Sequence, residues 1–141
     1  MKRSDLSLKQ LRILQFTAEG LCQYEIAEIM ELKLKRVEDL ARGIHKKLGT
    51  VNFPASITKA LERGLMKSPG IKDFPLPDLS EREKALINFI AQGVLYKQMS
   101  SKLENASTTS ICKQMNILKE RYEVKNVCQL IYVIHDLVRC A

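Results

Sequence analysis

Six basic residues, Lys33, Lys35, Arg36, Arg42, Lys46 and Lys47, stand within residues 33–47 against two acids, Glu38 and Asp39. Lysine and arginine at this density have one obvious chemistry, the binding of phosphate oxygens with release of counterions. The whole chain of 141 residues carries a net charge of +7 and has a pI of about 9.3. An anionic partner is therefore expected, most simply nucleic acid. The excess is uneven: residues 1–70 carry +5 and residues 71–141 carry +2.

Other chemistries lack their residues. Cys22, Cys112, Cys128 and Cys140 include no C-x-x-C pair, and His45 and His135 stand far from any cysteine pair. No metal site is expected. No glycine-rich phosphate loop is present, nor a Ser/His/Asp order with a supporting context. The chain reads as a non-enzyme without a cofactor. Its cysteines read as free thiols in a reducing cytosol. No apolar run approaches the roughly 20 residues that span a bilayer. The basic start, Met1-Lys2-Arg3, is followed by no uninterrupted apolar stretch, so no secretory signal is expected and the chain is placed in the cytoplasm.

The elements that would position the basic residues come in two copies. Leu6-Ser7-Leu8-Lys9-Gln10 matches Leu79-Ser80-Glu81-Arg82-Glu83, and Ala18-Glu19-Gly20 matches Ala91-Gln92-Gly93, at an offset of 73. Beyond residue 105 the offset becomes 74, pairing Val37 with Ile111, Ile44 with Leu118, Leu48 with Tyr122 and Asn52 with Asn126. Ser7 and Ser80 are expected N-caps, each with Gln or Glu three residues on in a capping box. Gly20 and Gly93 are expected stops. Short second helices follow at about Cys22–Met30 and Tyr96–Leu103. Third helices follow at about Lys35–Leu48 and Thr108–Tyr122, with apolar stripes Val37, Ala41, Ile44, Leu48 and Ile111, Met115, Leu118, Tyr122. Fourth helices are expected at about Pro54–Arg63 and Val127–Val138. The prolines of residues 68–78 mark a linker. The expected fold is all-α, with two four-helix units at 1–67 and 79–141.

Taken together, Leu6-Ser7, Ala18-Glu19-Gly20-Leu21, Glu25-Ile26-Ala27-Glu28, Lys47-Leu48-Gly49 and Ala60-Leu61-Glu62-Arg63-Gly64-Leu65 resemble the DNA-binding domain of the LuxR/GerE family of bacterial transcription regulators. The second copy is more diverged and has Gln98-Met99-Ser100 where the first has Glu25-Ile26-Ala27. The resemblance implies that the second and third helices form a helix-turn-helix. It implies that the third enters the major groove of duplex DNA and that the fourth dimerises. Lys33, Lys35, Arg36, Arg42, Lys46 and Lys47 would then serve DNA binding in the first copy. Thr108, Thr109, Lys113, Gln114 and Lys119 would serve it in the second, where Ser107-Thr108-Thr109-Ser110 suits the start of a recognition helix.

The chain departs from the family's usual residues at Arg36, Leu40 and Phe53. Glu38 and Asp39 share the outer stripe of the third helix with Lys35, Arg42 and Lys46. Two roles are open to these acids: pairing with Arg42 and Lys35, or accepting from a cytosine amino group. Gly43 sits mid-helix, at a cost of about 1 kcal/mol relative to alanine. In the last helix Leu130, Ile131, Ile134, Leu137 and Val138 cover more than one face and form an expected interface. It could join the fourth helix of the first copy as an intramolecular pseudo-dimer, or a second chain as a homodimer. A rival reading makes the chain a protein-interaction module that binds a regulator or RNA polymerase through that apolar helix.

Overall fold

The structure, a computed structural model, describes residues 6–67, 80–102 and 107–140, with the side chains of 102 and 135–140 outside the description. The proline-containing segment 68–78 and the turn at Asn105-Ala106 lie outside the described residues. The described residues form eight helices and no strand: α1 (Leu8–Ala18), α2 (Gln23–Met30), α3 (Leu34–Leu48), α4 (Phe53–Glu62), α5 (Glu81–Ala91), α6 (Tyr96–Lys102), α7 (Thr108–Arg121) and α8 (Val127–Cys140). The all-α expectation holds, with the starts of α2, α3 and α4 displaced by one residue. Cys22 is the N-cap of α2 rather than its first residue. None of these helices is long and apolar enough to cross a membrane.

The helix starts follow from local chemistry. The Ser7 hydroxyl accepts from the Gln10 backbone N–H (3.1 Å) and Gln10 Oε1 accepts from the Ser7 N–H (3.0 Å). Ser80 and Glu83 repeat the exchange at 3.1 and 3.0 Å. Each box satisfies two N–H groups that have no partner within the helix. Leu95 N–H donates to Gln98 Oε1 as Cys22 N–H donates to Glu25 Oε1, both at 2.8 Å. Asn52 and Asn126 cap α4 and α8 through Oδ1, accepting from Ala55 N–H (3.1 Å) and Gln129 N–H (2.9 Å).

The contacts that join the two halves follow the same offsets. Helices α4 and α8 pack on each other, α1 reaches α8, and α5 reaches α4. The Asn52 amide donates to the Gly93 carbonyl (3.1 Å), and the Asn126 amide donates to the Gly20 carbonyl (3.2 Å). Residue i of one half meets j of the other, and j meets i, which is the contact rule of a two-fold interface. Both glycines have positive φ, +96° and +91°, and both lack room for a side chain. A Cβ on Gly20 would come within 2.9 Å of Gln129, and one on Gly93 within 2.8 Å of Val51. Ile57 of α4 and Ile131 of α8, equivalent by the 74-residue offset, are both buried, and one apolar cluster contains residues of all eight helices.

This packing buries part of the last helix. Leu130 and Ile134 are fully buried and Ile131 is 2% exposed. These three residues therefore offer no open surface. Leu137 and Val138 belong to α8 with side chains outside the described residues.

Gly43 has a steric explanation. Gln10, itself buried, crosses the middle of α3, where Nε2 donates to the Leu40 carbonyl (3.3 Å). A Cβ on Gly43 would lie 2.6 Å from that nitrogen. Glycine thus admits a polar strut between α1 and α3.

Candidate nucleic-acid interface

Helix α3 buries Val37, Ala41, Ile44 and Leu48. The period of 3.6 residues then turns Lys35, Asp39, Arg42 and Lys46 outward as one row. Lys35, Arg42 and Lys46 are exposed, as are Lys33, Arg36 and Lys47. The row contains an ion pair between the Arg42 guanidinium and the Asp39 carboxylate, with the two side chains 68% and 42% exposed. The expected pairing of the acids with the bases is therefore half met. Asp39 takes Arg42, while Glu38 is exposed and forms no ion pair among the described residues.

Two of the expected contact residues are turned elsewhere. Lys33 is the N-cap of α3 rather than part of the outward row. Lys47 Nζ donates to Gln10 Oε1 (2.9 Å), which draws its amine toward α1. Arg36 stands on the flank between that side and the outward row.

Helix α7 buries Ile111, Met115 and Leu118. Its outward row is Thr109, Lys113, Asn116 and Glu120, all exposed. These are the 74-residue equivalents of Lys35, Asp39, Arg42 and Lys46. The row starts at a well-formed cap, since the Ser107 hydroxyl accepts from the Ser110 N–H (3.1 Å). Thr108 is also exposed. Gln114 is half-buried, and its Oε1 accepts from Arg82 Nε (3.2 Å). Lys119 is half-buried on the side away from the row. Arg82 was not among the expected site residues, although its equivalent Lys9 is also basic, a signal that the repeat carried.

The supports behind the two rows differ. At the base of α7, Arg121 holds Glu83 through two contacts of 3.3 and 3.2 Å. Burial tends to raise the Glu83 pKa, but the Ser80 backbone N–H and the Arg121 guanidinium prevail and keep it below the usual carboxylate range. The equivalent pair in the first half is Gln10 with Lys47, where a neutral amide replaces the carboxylate. At the corner of α3 and α4, His45 Nδ1 hydrogen-bonds the Ser56 hydroxyl (2.8 Å), and Ser56 in turn meets the Thr50 hydroxyl. The His45 ring packs edge-on against Phe53, with centroids 4.8 Å apart. Burial holds the His45 pKa below its ordinary value. This corner was not legible as a unit in the sequence, where His45 entered only as a residue far from any cysteine pair.

The described residues contain no cluster of three His, Cys, Asp or Glu side chains that could hold an ion. Burial pushes the Cys128 thiol up to about 12, which suits an apolar packing role for that side chain. Comparison with protein-family models, with curated proteins and with solved structures found no match to this chain.

Proposed function

We propose that this chain is a bacterial transcription regulator that binds duplex DNA through two tandem helix-turn-helix domains, at 1–67 and 79–141. The observation that carries the reading is the outward row of α3, where Lys35, Arg42 and Lys46 lie exposed along one helix face with Arg36 beside them. An α-helix fits the major groove, and flanking cations hold the phosphates on either side. The resemblance to LuxR/GerE domains assigns α2–α3 and α6–α7 as the helix-turn-helix pairs. The reciprocal Asn52–Gly93 and Asn126–Gly20 bonds support a pseudo-dimer formed by one chain, which would offer α3 and α7 to successive turns of the groove. Such a protein works in the cytoplasm.

The rival reading, docking of a regulator or RNA polymerase on the apolar last helix, would have to use side chains of α8 other than its three buried ones. Leu130, Ile131 and Ile134 are buried inside the chain.

The test is titration of a labelled random-sequence duplex at several salt concentrations. Binding at low salt should fall steeply, with a log–log slope of roughly −3 to −4 if three or four phosphates are neutralised. Lys46→Ala and Arg42→Ala should weaken binding to this non-specific duplex more than Lys113→Ala does. A flat salt response, or no binding at low salt, refutes the reading.

A further inference from the structure

We infer that the DNA site of this chain is asymmetric, with α7 reading bases and α3 holding phosphates. The inference rests on the DNA-binding reading and deepens it. The framework is reciprocal, but the two outward rows are chemically unlike. The α3 row offers Lys35, Asp39, Arg42 and Lys46: three cations and one anion, with no amide or hydroxyl among them. Its one guanidinium, the group best shaped to fork onto guanine, is engaged by Asp39 in the same helix. What remains free in that row is two lysines, compact charges suited to phosphate. The α7 row offers Thr109, Lys113, Asn116 and Glu120, a hydroxyl, an ammonium, an amide and a carboxylate.

That second set has the donor and acceptor variety that base edges require. An asparagine amide pairs with adenine N6 and N7, a lysine donates to guanine O6 and N7, and a glutamate accepts from cytosine N4. The same row sums to no net charge, so it contributes little phosphate affinity. Thr109 and Lys113 also sit in the N-terminal half of α7, the part of a recognition helix that reaches base edges. Affinity and specificity are thereby divided between two halves that share one scaffold.

The experiment is selection of bound sequences from a random duplex library with the full chain, followed by titration of the selected site. The expected motif is informative over one half-site and degenerate over the other. Lys113→Ala with Asn116→Ala should flatten the motif and lower affinity for the selected site by roughly 5- to 100-fold, the range of one good base contact. The same pair should leave affinity for random duplex nearly unchanged. Lys35→Ala with Lys46→Ala should lower affinity for every sequence, reduce the salt slope by about 2 and leave the motif intact. All four side chains are exposed, so an unchanged helical circular dichroism signal is the control for folding. A palindromic motif with equal information in both halves overturns the inference while leaving DNA binding standing. So does a motif that survives the α7 pair and disappears with the α3 pair. Absence of any enrichment together with absence of low-salt binding overturns the DNA-binding reading itself.

Discussion

Lys35, Asp39, Arg42 and Lys46 on α3 occupy the places that Thr109, Lys113, Asn116 and Glu120 occupy on α7. No equivalent pair has the same residue, although the helices beneath them bury equivalent positions: Val37 and Ile111, Ala41 and Met115, Ile44 and Leu118. The same contrast runs through the supports. Glu83 and Arg121 are an ion pair where Gln10 and Lys47 are a neutral–charged pair. His45, Ser56 and Thr50 form a polar corner where the other half has Lys119, Leu130 and Val124. The apolar frame and the caps have kept their positions while the polar surface and its supports have changed. Burial tolerates few side chains at a core site, whereas exposed positions carry little stability and are open to functional change.

If the frame is truly common, its two halves should fail together. Ile57→Asp and Ile131→Asp place a carboxylate at equivalent buried positions of α4 and α8. Each should cost roughly 3–5 kcal/mol, enough to unfold much of a chain with ordinary stability. Urea denaturation followed by circular dichroism should show a single transition in the wild-type chain and a large loss in both variants. Two separated transitions, or one variant that is nearly neutral, would break the equivalence.

Much of the frame was legible because its determinants are local. Ser7 with Gln10 and Ser80 with Glu83 announce helix starts three residues apart, and the stripes of α3 and α7 name their buried faces. The excess apolar surface of α8 announced that something must cover it. What covers it depends on contacts more than 100 residues apart, such as Asn126 with Gly20, which no local pattern encodes. Gln10 illustrates the limit within one half. Its capping role was legible from spacing, but its reach to Leu40 and Lys47 was not, so Gly43 read as a cost without a cause. The ion pair between Asp39 and Arg42 was among the expected arrangements because i,i+3 spacing puts both on one face. The engagement of Gln114 by Arg82 joins side chains 32 residues apart on α5 and α7.

The supports can be separated by pH. His45 has a folded-state pKa below its ordinary value near 6.5 because burial disfavours the charged ring. The unfolded chain therefore takes up its proton first as pH falls. The stability associated with neutral His45 is complete above about 6.5 and is lost as pH drops through that value toward the folded-state pKa. The urea midpoint of the wild-type chain should therefore fall between pH 7.5 and 5. In His45→Gln, which retains a side chain able to bond Ser56, it should fall less. Equal declines in the two proteins would remove His45 as the source.

The smallest expected difference lies at the ends of the third helices. Gly49 ends α3 with φ +70°, and its equivalent Glu123 follows α7 with φ +56°. Left-handed backbone crowds the Cβ of an L-residue against the following carbonyl, at a cost of about 1–2 kcal/mol, whereas glycine avoids it. Glycine also gives the unfolded chain more freedom, which offsets part of that relief. The Glu123 carboxylate stands beside the negative end of the α7 dipole, a further few tenths of a kcal/mol against it. Glu123→Gly should therefore stabilise the chain by about 0.5–1 kcal/mol. Gly49→Glu should destabilise it by a similar amount, because a Cβ there meets nothing within 4 Å and only the backbone conformation is at stake. Paired urea midpoints at constant m-value measure both. Opposite and comparable shifts mean that the two turns share one geometry and differ only in residue. A neutral Glu123→Gly combined with a costly Gly49→Glu would mean that the second half has relaxed its turn to suit glutamate, so that the divergence between the halves reaches into the backbone.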